Sequence, residues 1–306
     1  MTFFLSGLYL LPESKKRLYR PPNNPVGASD IDYLTDDHIK LTLKNLRAAW
    51  LEGHEIGTHF NGHFCGTGSG SVAHWTPAQW DSEIEQAMDF VTKWRTNTGF
   101  TDLDPLPFDY SKELVGARTP CLLGQENLLP TAKKRGWRYD ASSPGGLQVW
   151  PTKKQGIWDF PLQSIPFGNL PAGVLSMDYN MLYNQSQNST KGPPANYPRW
   201  RKQAADAYIA GFQRAYETNR APSSSATTSS SGTAASTWTP SKTRSSTSPT
   251  RSTRMSDWSP SASCATGSTP RTPRSSPTCA NSASDNSSPD AADRAERTQW
   301  LINTAM

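Results

Sequence analysis

Gly53 to Phe64 reads "GHEIGTHFNGHF", and it gathers three of the chain's five histidines, His54, His59 and His63, into ten residues. The apolar centre of "HEIGTHF" reads as a buried strand entered at Gly53, with histidines at its end. His59 and His63 are four apart. If the segment after the strand turns helically, their imidazoles face the same way and can share a divalent ion. His54 stands at the strand's start, on the far side of that geometry. The zinc-protease spacing HExxH is absent, because His54 and His59 are five apart and Glu55 is not placed as its base. A chance pair is the usual explanation of such spacing, and the position at a strand end sets the metal reading level with it. The following "GTGSGS" lacks the GK[ST] of a phosphate loop and reads as a flexible rim.

Outward from this stretch the chain alternates. "TDDHIKLTLKNLRAAWLEG" carries Ile39, Leu43, Leu46 and Trp50 at helical spacing, with acidic residues at its start and Gly53 at its stop. A second helix opens at Thr76-Pro77, with Gln79 in capping-box position and Trp80, Ile84, Met88 and Val91 on one face. "MTFFLSG" reads as a core strand, "ELVGART" as another and "ENLLPTAKKRG" as a short helix; "WRYDAS", "GIWDFPLQSI" and "VLSMDYN" read as apolar strands. Repeated strand, helix, strand units imply a mostly parallel sheet or barrel with helices outside, and chemistry at the C-terminal ends of its strands.

The 306 residues are 35% hydrophobic with mean hydropathy -0.66, an average that conceals a break. From Ser223 to Trp300 there is no Leu, Ile, Val, Phe, Tyr or His. Residues 1–222 can therefore bury a core, whereas 223–306 cannot offset their chain entropy and are expected to form a disordered tail. Of the net charge of +5, the globular part carries only +2, with no basic run, which argues against nucleic-acid binding. The opening apolar run is too short to span a bilayer and lacks a basic n-region and a small-residue cleavage site, so the chain as it stands would be cytoplasmic. Cys65, Cys121, Cys264 and Cys279 show no CxxC spacing, which argues against a thiolate zinc site. Cys65 and Cys121 are read as inert buried thiols, with a disulfide in an exported relative as the alternative.

Together, "TFFLSG", "GHEIGTHFNGHF", "GARTPCLLGQ", "GWRYDASS" and "WDFPLQSIPF" resemble, in order, the strands and motifs of the NodB-type polysaccharide deacetylases, carbohydrate esterase family 4. The resemblance covers most of residues 1–222. It implies an α/β fold, an incomplete, distorted (β/α) barrel, from a secreted or envelope family acting on an N-acetylated polysaccharide. In that family zinc or another divalent metal is held by one Asp and two His. A metal-activated water attacks the N-acetyl carbonyl, a second Asp is the base, and a His protonates the leaving amine. By position His59 and His63 would be the metal ligands, and Arg118 would orient the base. Asp140 and Asp159 are candidates for contacts in the substrate groove, with solvated strand-end carboxylates as the alternative.

Two departures shape the functional expectation. The family's first motif, an Asp-Asp pair, should precede "TFFLSG", and its last, a strand ending in the acid histidine, should follow "NRAP". Without them metal binding is expected to be weak and deacetylation impaired or lost, leaving a remnant that binds metal or glycan. One lost nucleotide near Pro222 accounts for the tail. In the restored frame a TCN serine hides Phe, Leu, Ile or Val, and an ACN threonine hides Tyr, His, Asn or Asp. The tail's start can then be read as "LLIGNHFEQWNGGIYMDAVED", a strand followed by a histidine. A Ser/Thr-rich secreted linker is the alternative.

Overall fold

The computed structural model describes residues 1–189 and 192–226, which form a mixed α/β fold with a parallel sheet and flanking helices. The strands are β1 (Thr2–Leu5), β2 (Glu55–Thr58), β3 (Gly116–Ala117), β4 (Tyr139–Asp140), β5 (Pro144–Leu147), β6 (Thr152–Lys154), β7 (Ile157–Asp159), β8 (Leu162–Phe167) and β9 (Leu170–Leu175). The α-helices are α1 (Asp36–Leu51), α2 (Pro77–Thr92), α3 (Trp94–Thr98), α4 (Tyr110–Glu113), α5 (Gln125–Lys134), α6 (Asp178–Gln185) and α7 (Tyr197–Glu217).

Local chemistry sets the two long N-terminal helices where their sequences predict them. The Thr35 hydroxyl accepts from the His38 amide at the start of α1, and Asp36 and Asp37 complement the positive end of its dipole. At α2 the Thr76 amide donates to Gln79 Oε1 (2.8 Å) and the Gln79 amide to Thr76 Oγ1 (3.3 Å), a complete capping box with Pro77 inside it. The buried stripe of α2 is Trp80, Glu83, Ile84, Ala87, Phe90 and Val91, so Phe90 takes the depth expected of Met88, which is only half-buried. "VLSMDYN" also departs from expectation. Its strand stops at Leu175, and the stretch from Asp178 opens α6.

The larger sheet runs β1-β2-β3-β4-β7-β6, parallel from β1 to β7, with β6 antiparallel at the edge. Leu5, Thr58, Ala117, Asp140 and Asp159 pair in sequence across five strands. The ladder continues one residue further, through His59 N to Leu5 O, Arg118 N to Thr58 O, Ala141 N to Ala117 O and Phe160 N to Asp140 O. Successive residues of a strand face opposite sides, so these two rows point to opposite faces of the sheet. One face, with Phe3, Leu5, Ile56 and Ala117, packs on α1, α2 and α5 in the main core. The other carries a smaller cluster of Phe4, Tyr139 and Ala141, flanked by Phe160.

β5, β8 and β9 form a second sheet, covered by α7 through Ile165, Phe167, Val174, Ala204 and Ala207. The described chain runs past the boundary expected at Pro222. Ser224 Oγ donates to Pro161 O (3.0 Å), the Ala226 amide donates to Ser176 O (2.8 Å), and Ala226 is buried. The remainder of the expected tail, including most of the restored-frame strand, lies outside the described residues. No helix among the described residues is long and apolar enough to cross a membrane.

Candidate metal centre

His59 and His63 lie together at the C-terminal end of β2, their ring centroids 5.0 Å apart. The expected helical turn does not bring them there. Residues 59–64 form a loop in which Phe60 (φ 61°) and His63 (φ 57°) adopt left-handed backbone, each an unfavourable conformation for a side-chain-bearing residue. Surrounding bonds hold it. Gly7 N donates to Phe60 O (2.7 Å), Asp30 N to Gly62 O (2.8 Å) and Val72 N to Phe64 O (3.0 Å). Phe60 itself is fully buried, 4.6 Å from Trp80 between ring centroids, and burial of such a ring contributes about 2–3 kcal/mol.

A buried polar strut supports the same loop from α2. Tyr19 OH accepts from Gly62 N (3.0 Å) and donates to Glu83 Oε1 (3.0 Å), while Asn61 Nδ2 donates to Glu83 O (3.0 Å). Burial pushes the Glu83 carboxyl up to about 7, so it carries its proton across most of the acidic range. The sequence holds a signal for it: Glu83 falls on the apolar stripe of α2 between Trp80 and Ala87, where a lone acid is out of place.

His59 is buried, and its Nδ1 is 2.7 Å from the Arg118 carbonyl oxygen. That contact makes Nδ1 the protonated nitrogen and leaves Nε2 with its lone pair, the form in which imidazole ligates metals. Burial, with His63 alongside, pushes the His59 imidazolium down to about 3, so the ring is neutral at ordinary pH. Burial also lowers His63. Two neutral imidazoles side by side suit a divalent ion. The buried hydroxyls Ser6 Oγ and Thr119 Oγ1, which follow the flanking strands β1 and β3, have no hydrogen-bond partner.

Arg118 shares the His59 row of the sheet. Its Nε donates to Ala141 O (3.0 Å), and its guanidinium lies 5.1 Å from the Phe4 ring centroid. Burial lowers its pKa to about 10, a group still cationic at neutral pH. The flat face beneath it depends on two glycines. A Cβ on Gly57 would meet the Phe4 ring at 2.8 Å, and one on Gly116 would meet the Tyr139 ring at 2.2 Å.

Asp140 and Asp159 occupy the other row and so the opposite face. Neither is a solvated strand-end carboxylate; both are buried. Asp140 accepts from Ser142 Oγ (2.5 Å), from Ser142 N (3.1 Å) and from Gln125 Nε2, which also donates to Asp159 Oδ1 (3.2 Å). Lys154 closes the set at 2.8 Å from Asp159 Oδ2 and donates to Ser143 Oγ (2.8 Å). The register thus turns these carboxylates to the face opposite His59 and Arg118, although Asp140 still acts electrostatically on Arg118, and ties β4, β7, β6 and α5 together. Gln125 and Lys154 were not legible as their partners, because those contacts run between separate elements, whereas Ser142 lies only two residues from Asp140.

Cys65 and Cys121 are not inert buried thiols. They are joined in a disulfide, Cα–Cα 6.0 Å, and Cys121 is exposed. His54, as its place at the strand's start implies, is remote from the pair and contacts the N-terminal amine at 3.3 Å. Among the described residues no Asp or Glu joins His59 and His63 in a group of three metal donors. No protein-family model matches the chain, and no curated protein matches it significantly.

Proposed function

We propose that the chain is built on the plan of a metal-dependent polysaccharide deacetylase, with β1, β2, β3, β4 and β7 as an arc of its distorted barrel and His59 and His63 as its histidine ligands. The observation that carries this reading is the neutral, Nδ1-anchored His59 beside His63 at the C-terminal end of a central parallel strand. A divalent ion held by the pair supplies Lewis-acid polarisation of an acetyl carbonyl oxygen. The protein's own contributions are distinct: the Arg118 carbonyl orients His59, and the Arg118 guanidinium places a positive charge on the same face. The disulfide fits an oxidising compartment, in keeping with an exported glycan-modifying protein.

A second reading, a metal- or glycan-binding protein without turnover, is favoured by the missing carboxylate donor among the described residues. Acetate release from an N-acetylglucosamine oligomer separates the two. The deacetylase plan with an incomplete donor set predicts zinc-dependent release at least about 10²-fold slower than an intact family member, and lost in His59→Ala. Zinc binding with no release at all would leave the binding reading. Release at an intact member's rate would mean that residues beyond the described ones complete the site.

A further inference from the structure

We propose that Cys65, Cys121 and His63 form a thiol-gated site for a zinc-like divalent ion, closed while the two cysteines are bridged and opened when the bridge is reduced. The inference goes beyond the deacetylase plan, since it needs neither a glycan nor a carboxylate. Sequence spacing hides it, because 56 residues separate the cysteines.

Folding brings the three donors together. His63 Nδ1 lies 3.5 Å from Cys65 Sγ, and one ligand atom from each of His63, Cys65 and Cys121 lies within 4.8 Å of the others. In the bridged state the sulfurs are bonded to each other and donate poorly to a metal; as thiolates they are among the strongest zinc ligands. A tetrahedral site with metal–sulfur arms of about 2.3 Å needs its sulfurs about 3.8 Å apart. Rotation about the two Cα–Cβ bonds supplies that opening. Cys121 is exposed in a turn where it and Leu122 both have positive φ, so a reductant can reach the bridge. His63, in contrast, is held in the pinned loop and keeps its ring beside the sulfurs.

The chemistry balances with a dithiol as reductant. Its two thiols give two electrons and two protons, the Cys65–Cys121 bond breaks to two thiols, and the reductant leaves as its own disulfide. On metal binding each cysteine releases its proton and forms a metal–sulfur bond. His63 adds the third, and the fourth position stays open.

The test uses the full chain with Cys264→Ser and Cys279→Ser, so that only the bridged pair can supply sulfur. After anaerobic reduction and removal of the reductant, cobalt(II) titration should give a thiolate-to-cobalt charge-transfer band at one ion per chain. Zinc competition should show affinity at least about 100-fold above the oxidised protein. His59→Ala should leave that band in place, which distinguishes this site from the histidine pair, whereas Cys121→Ser should remove it. Absence of the band in reduced protein, or its survival in Cys121→Ser, overturns the proposal. Should Cys121→Ser fail to fold, alkylation of the reduced parent decides. Zinc must protect Cys65 and Cys121 from iodoacetamide, and equal labelling with and without zinc overturns it.

Discussion

The two halves of the sheet's C-terminal edge treat their polar groups differently. On the β4 and β7 side, Asp140 and Asp159 are buried with Ser142, Gln125 and Lys154 engaging their oxygens. On the β1 to β3 side, His59 uses one ring nitrogen and keeps the other, and two neighbouring hydroxyls have no partner. Buried polar groups are ordinarily satisfied, and among the described residues unpartnered ones also occur away from the histidines, at Trp80 Nε1, Trp200 Nε1 and Tyr208 OH. The carboxylate side is a cross-brace of hydrogen bonds and an ion pair, and the histidine side is where the proposed function places a ligand.

The contrast is most directly broken through stability. Asp140→Ala removes the acceptor of Ser142 and Gln125 and leaves buried donors unpaired, so it should cost about 4 kcal/mol in chemical denaturation. Zinc affinity of the oxidised chain should not change under conditions where the variant is folded. A variant that keeps its stability but loses zinc would place Asp140 in the site instead of the brace.

A somewhat smaller effect concerns the strut beneath the histidine loop. The folded Glu83 carboxyl, at about 7, lies above its ordinary value of 4.5, so its contribution is fully present below pH 4.5 and is lost as pH rises through 7. The loss should be on the order of 3 kcal/mol, and Glu83→Gln should remove it and leave a flatter stability profile. The measurement is denaturant unfolding of both proteins from pH 4.5 to 8.5. Parallel profiles would show that Glu83 is not the titrating group.

The smallest effect on the fold should come from His59→Ala, which removes a buried ring and leaves the Arg118 carbonyl without its donor, about 2 kcal/mol. Its consequence for the oxidised protein lies in binding: zinc affinity should fall about 100-fold, measured by competition with a chelating dye. Together with Asp140→Ala this forms a double dissociation, stability without metal on one side and metal without much stability on the other.

Local patterning was enough to determine the helices at Asp36–Leu51 and Pro77–Thr92 and the strand at Glu55–Thr58, because capping, periodicity and turn residues act within a few positions. It also marked a change of composition at Ser223, from which Leu, Ile and Val are absent as far as Trp300. Three matters were decided only by tertiary structure. The register put Asp140 and Asp159 on the face opposite His59 and Arg118, and register depends on neighbouring strands that are remote in sequence. The histidines met through a strained loop clamped by Gly7, Tyr19 and Asp30, where no helix forms. Cys65 reached Cys121 because β2 and β3 are neighbours in the sheet, so the loops that follow them share one end of it. Spacing along a chain carries no information about such meetings, since they are set by which strands lie side by side.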